Sequence, residues 1–137
     1  MKKLVFAVLL AAASLAHASG EAITVYKDAH CGCCEGWVAH LRDAGYQVKT
    51  VDSDDLSAVK KRLGVPDTMA SCHTGVVEAT GQVIEGHVPA AAVNKLIATP
   101  SVKGVAVPGM PMNSPGMGKM DGNLVTVDFA GKAFSKD

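Results

Sequence analysis

Aromatic residues are scarce in this sequence: 137 residues hold one Trp, two Tyr and three Phe. A core must therefore be built from Val, Ile, Leu, Ala and Met. Charge of one sign is lacking too. The 13 Lys+Arg balance 13 Asp+Glu, with no basic patch and no run of like charge, so nucleic acid is not an expected partner. Paired carboxylates, phosphate-cradling glycine loops and a Ser-His-Asp pattern are absent, which removes the common hydrolase and nucleotide-binding classes. Asp52, Asp54 and Asp55 read as a solvated acidic turn with a weak claim to a hard metal. No long internal repeat is present. Long apolar runs are missing except for Leu4–Leu15, which is too short to span a bilayer comfortably. With Lys2 and Lys3 before it and Ala16-His17-Ala18 after it, this run reads as a secretory signal peptide, residues 1–18. The expected mature chain starts at Ser19, in the periplasm, with no membrane span once the signal is cleaved. Setting aside Lys2 and Lys3, 11 Lys+Arg face 13 Asp+Glu, a formal charge of −2.

Cysteine is present but concentrated. Three of the four cysteines lie in His30-Cys31-Gly32-Cys33-Cys34. Cys31 and Cys34 make a C-x-x-C pair; Cys31 and Cys33 make a C-x-C with Cys34 adjacent. A C-x-x-C at a helix start suits dithiol–disulfide chemistry, because the unpaired N–H groups there favour thiolate. On that spacing Cys31 and Cys34 are expected to form a reversible disulfide when no metal is bound. Three thiolates cannot all pair, and surplus thiolate is what soft metals take up. The bland alternative is a structural disulfide beside a buried free cysteine. Zinc sites of four Cys usually use two separated pairs; here the pattern is three plus one, which suits thiolates bridging several Cu(I) ions better.

Glu21–Lys27 reads as a buried strand, and Cys34–Ala44 as a helix with Trp37, Val38 and Leu41 on one face and Gly45 as its stop. Tyr46–Val51 alternates as a second strand. Leu56, Val59 and Leu63 mark a second helix that stops at Gly64. Thr74–Ala79 and Gln82–Glu85 form a hairpin around Thr80-Gly81, and Pro89 opens a third helix over Ala90–Ala98. The order βαβ then ββα, with C-x-x-C at the first helix, predicts an α/β, thioredoxin-like fold with a mixed four-stranded sheet and flanking helices. Residues 19–100 make up that domain. Residues 101–137 are expected to form a Met/Gly/Pro-rich loop, with a last strand near Leu124–Phe129, closing over the site.

Cys72 falls just before the third strand, where the thioredoxin-like arrangement usually places a cis-proline facing the C-x-x-C. This chain has no proline between Thr68 and Gly75. A thiol there would complete a convergent four-sulfur site. The neighbouring His73 should point to the opposite face of an extended segment. Four of the six methionines lie between 110 and 120; thioether sulfur is a soft ligand, though Met also serves as flexible filler. Met110 and Met117 are candidate ligands, with His30 and His87 as possible outer ones.

Tyr26-Lys27, Cys31-Gly32-Cys33-Cys34-Glu35-Gly36-Trp37-Val38, Ala70-Ser71-Cys72-His73-Thr74, Ile84-Glu85-Gly86-His87-Val88-Pro89 and Gly104–Pro111 resemble the motifs of the CxCC metal-binding family. That family has long been catalogued as a domain of unknown function and includes a periplasmic copper-resistance protein. The resemblance spans about residues 22–118. It implies a thioredoxin-like fold and a cysteine-bridged, multinuclear Cu(I) site exchanging with oxidised cysteine states. Carried over by position, Cys31, Cys33, Cys34 and Cys72 would supply the thiolates, with methionines of 110–117 as supplements. His30 and Met112-Asn113 depart from the family pattern. The expected function is periplasmic copper binding for copper resistance, with a coupled dithiol–disulfide change. The rivals are a general thiol–disulfide oxidoreductase, and a chaperone passing copper to a periplasmic exporter or oxidase.

Overall fold

The structure, a computed structural model, describes residues 20–137; the expected signal peptide lies outside the described residues. Among those residues no helix is long and apolar enough to cross a membrane.

Strand β1 (Ala22–Lys27) alternates, turning Ile23, Val25 and Lys27 inward. Helix α1 (Gly32–Asp43) buries Cys34, Trp37, Val38 and Leu41, the i, i+3, i+4, i+7 spacing of a single face. It ends before Gly45, whose φ of +98° suits a residue without a Cβ. Strand β2 (Gln47–Asp52) returns parallel to β1, with Ala22 opposite Gln47. Helix α2 (Leu56–Arg62) is capped by Asp55, whose side chain accepts the Ala58 N–H at 2.9 Å. After a short 3-10 turn, Asp67–Met69, strands β3 (Thr74–Val77) and β4 (Val83–Gly86) form the expected hairpin, with Thr74 opposite Glu85. Helix α3 (Ala90–Ile97) follows Pro89.

The sheet has seven strands in the order β2-β1-β3-β4-β5-β6-β7, not the four expected. The added strands come from the C-terminal segment: β5 (Gly104–Val107) parallel to β4, then β6 (Val125–Asp128) and β7 (Ala133–Lys136), both antiparallel to the strand before. β5 is only Gly-Val-Ala-Val and is buried throughout. A strand covered on both faces has no polar alternation to betray it. The core gathers Trp37, Ile23, Leu41, Ile84 and Leu96, all fully buried, between the sheet and helices α1 and α3. Trp37 alone supplies burial whose loss in comparable cores costs about 3–5 kcal/mol; its indole N–H donates to the Val88 carbonyl at 2.8 Å. This anchors the helix that begins with the cysteines to the β4–α3 connection.

Candidate metal centre

The first cysteine sits on a turn fixed by local hydrogen bonds. The Asp28 side chain accepts the His30 N–H at 2.7 Å, and the Asp28 carbonyl accepts the Cys31 N–H at 3.2 Å. Beneath the turn, the buried Lys27 ammonium pairs with Glu35 at 2.8 Å and Asp52 at 3.0 Å. Hydrogen bonds to Glu35 and then Asp52 raise the Lys27 pKa, so the cation is fixed at the foot of α1. Cys31 and Cys34 are joined in a disulfide. Cys34 is fully buried, while Cys33 and Cys72 are half-buried free thiols.

Cys72 reaches this cluster from the loop before β3. Its Sγ lies 3.9 Å from that of Cys33, which is 3.5 Å from that of Cys31. All four cysteine sulfurs lie within 4.8 Å of one another. Burial foremost, and then the nearby Cys33, hold the Cys72 thiol above its ordinary pKa, against the Ser71 hydrogen bond and the Lys60 charge. A soft metal ion would therefore have to displace the proton of the Cys72 thiol as it binds.

Met110 adds a fifth sulfur: the Cys72 thiol donates to the Met110 Sδ at 2.8 Å. A shallow hollow of about 370 Å³ opens beside this pair, bounded by Ala70, Ser71, Cys72, Gly109 and Met110. Met112, 68% exposed, projects from the segment that follows. Met117 is half-buried, and among the described residues no hydrogen-bonding contact joins its sulfur to the thiols. His30 is exposed and is not among the groups whose ligand atoms converge.

The methionine segment is seated at its far end as well. Gly116 packs directly on the first turns of α1, so close that a Cβ there would lie 2.7 Å from the Trp37 nitrogen and 2.8 Å from the Cys33 carbonyl oxygen. The preceding Pro115 carbonyl accepts a hydrogen bond from His87 Nδ1 at 2.8 Å. Residues 110–116 thus run from the Cys72 thiol to the helix carrying the other three cysteines.

His73 turns away from Cys72, as alternation along an extended segment requires. It is fully buried, stacks on Trp37 with ring centroids 4.2 Å apart, and donates Nε2–H to the Gly86 carbonyl at 2.8 Å. The remaining nitrogens, His73 Nδ1 and His87 Nε2, are buried with no hydrogen-bond partner among the described residues. Burial, and next the neighbouring His87, lower the His73 pKa from 6.5 to about 3. Because the folded value is the lower one, the unfolded chain binds the extra proton between those limits and stability falls as pH drops through them. The slope from this residue is about 1.4 kcal/mol per pH unit. Urea unfolding should accordingly show wild type losing about 2 kcal/mol more than His73→Phe between about pH 7 and about pH 5. Parallel losses in the two proteins would mean that His73 takes up its proton without unfolding. His40, on α1, accepts the Ala90 N–H at Nε2, 3.0 Å, and so satisfies a donor at the start of α3.

Sequence reasoning passed over Glu85, Lys60 and Gly116. The signal for Glu85 was a lone carboxylate inside an otherwise apolar strand, since such a group is buried only when paired.

A mixed α/β sheet that carries four convergent cysteine sulfurs at the start of its first helix defines a protein with a thiol-rich, soft-metal-competent centre. Residues 69–117 match the model of a family described as "Protein of unknown function, DUF411". Two solved structures, "Copper resistance protein copG", Form 1 and Form 2, share 45% identity with the chain. Each covers 86% of this chain and 98% of its own, with TM-scores of 0.74 and 0.75. Comparison with curated proteins gives no match. The chain belongs to the DUF411 family, together with the copper resistance protein CopG.

Proposed function

We propose that the protein is a periplasmic copper-binding protein for copper resistance that holds more than one Cu(I) ion on Cys31, Cys33, Cys34 and Cys72. The observation that carries this reading is the convergence of four cysteine sulfurs within 4.8 Å, with Met110 against Cys72. Cu(I) prefers thiolate and thioether and accepts few ligands, so bridging sulfurs hold several ions where one tetrahedral ion would leave the crowd strained. The likeness to a copper resistance protein favours copper over other soft metals. The strand order β2-β1-β3-β4 with α1 after β1 supports a thioredoxin-like core over residues 19–100. On this reading residues 101–137 extend the sheet and close the methionine segment over the site. Met110 is a supplementary ligand, Met117 a lid residue, and His30 at most an outer ligand. Residues 1–18 export the chain and are then removed.

The redox change is carried by Cys31 and Cys34. A disulfide oxidant accepts two electrons from this dithiol and is itself reduced to two thiols; the Cys31–Cys34 bond forms and two ligands leave the metal. Copper held by those ligands is then released, to an exporter or oxidase component in the periplasm. The Cys31–Cys34 disulfide at the helix start also favours a second reading, a general thiol–disulfide oxidoreductase.

Anaerobic Cu(I) titration against a competing chelator tests the proposal on both redox forms of the mature protein. The reduced protein should take up more than one Cu(I) per chain, and the Cys31–Cys34 disulfide form fewer. Equal binding by the two forms, or none by either, would leave the oxidoreductase reading in its place.

A further inference from the structure

Glu85 is fully buried in the middle of the sheet, a costly place for a carboxylate unless every lone pair is used. Here three donors meet the carboxylate, and two of them flank Cys72. Oε1 accepts from the Lys60 ammonium at 2.5 Å and from the Ser71 backbone N–H at 2.7 Å. Oε2 accepts from the Thr74 hydroxyl at 2.6 Å, and that hydroxyl in turn accepts from Lys60 at 3.0 Å. Ser71 is the residue before Cys72, and Thr74 is the first residue of β3, so the carboxylate grips the Cys72 loop on both sides. The grip extends to the methionine: the Ser71 hydroxyl donates to the Gly109 carbonyl at 2.6 Å, one residue before Met110.

We propose that Glu85 is a positioning residue of the four-sulfur centre, holding the Ser71–Cys72 loop so that the Cys72 sulfur faces Cys33 and Met110. This rests on the copper-binding reading for its purpose but not for its test. A loop without proline has no built-in stiffness at this point, and a bond from a buried carboxylate to its backbone supplies it. The bond is charge-assisted, the stronger kind. Replacing the carboxylate by an amide puts an N–H₂ donor among three donors and leaves at least one of them unpaired.

The test uses protein with the Cys31–Cys34 disulfide intact, so that Cys33 and Cys72 are its free thiols. The probe is phenylarsine oxide, which binds tightly only where two thiols can reach one arsenic. Wild type should capture one arsenical across Cys33 and Cys72. Glu85→Gln should capture it about ten- to hundredfold more weakly, the loss expected for a charge-assisted hydrogen bond. The double variant Lys60→Met with Glu85→Leu removes both buried charges together, a change that often restores stability. It should unfold in urea near wild type yet still capture the arsenical at least about tenfold more weakly, because the Ser71 N–H remains untethered. If capture returns with stability in the double variant, or if Glu85→Gln captures as wild type does, Glu85 is structural only and the proposal is overturned. Cu(I) affinity measured on the same variants after anaerobic reduction of the disulfide separates the two ideas. Wild type that captures the arsenical when oxidised but binds no copper when reduced defeats the copper reading and leaves the positioning role standing.

Discussion

Cys72→Ser is expected to lower the Cu(I) count by at least one ion per chain. The copper that remains should bind about a hundredfold more weakly or worse, since losing only an outer partner of a metal ligand already costs roughly 10–100-fold. Three of the four cysteines come from one turn of chain and can cap only one side of a cluster. Cys72 is the thiol supplied from a different element, 3.9 Å from Cys33. Its serine replacement offers a hard oxygen that does not bridge Cu(I). It also breaks the contact with the Met110 sulfur, so the thioether loses its fixed place. The fold should be unaffected by circular dichroism, because Cys72 is half-buried and lies outside the Trp37-centred core. The check is metal analysis after anaerobic loading, beside a wild-type control. An unchanged count and affinity would show that Cys72 is not part of the site.

Gly116→Ala is expected to destabilise the protein by roughly 2–4 kcal/mol, and to weaken copper binding more than it changes the copper count. The residue has φ +90°, a conformation that costs an L-residue about 1 kcal/mol. The added methyl would meet the Trp37 nitrogen and the Cys33 carbonyl at under 3 Å. Both are helix backbone and cannot step aside, so overpacking adds about 1–3 kcal/mol. Relief requires lifting residues 114–116 off α1, which pulls Pro115 from His87 and shifts the strap that begins at Met110. Gly122→Ala is the matched control: its φ is +78°, but among the described residues nothing lies within 4 Å of the added methyl, so only the backbone strain remains. Urea unfolding and chelator competition on the two variants measure the difference. Equal losses in both would mean that the seat on α1 does not matter.

The elements legible from sequence were those that announce themselves at both ends. Trp37, Val38 and Leu41 gave α1 its face, and Gly45 with Gly64 gave α1 and α2 their stops. Thr80-Gly81 marked the hairpin. The strands that stayed hidden are of two kinds. β5 is four buried residues between β4 and β6, and its first residue is a glycine because the Phe129 ring occupies the space a side chain would need. β7 lies at the sheet edge in a polar C-terminal stretch with too few apolar residues to mark a strand. In the candidate site the cysteines were visible by type and spacing. Their company was not: Glu85 and Gly116 act through contacts with residues 14 and 83 positions away, at Ser71 and Cys33, and no local pattern encodes such distances.

Several Cu(I) ions that share bridging thiolates lie close enough to scatter from one another. Copper X-ray absorption on reduced protein, loaded anaerobically, tests this most directly. Every copper should show sulfur ligands, together with a copper–copper scattering contribution that disappears in Cys72→Ser. Copper bound by nitrogen or oxygen, with no neighbouring copper, would contradict it.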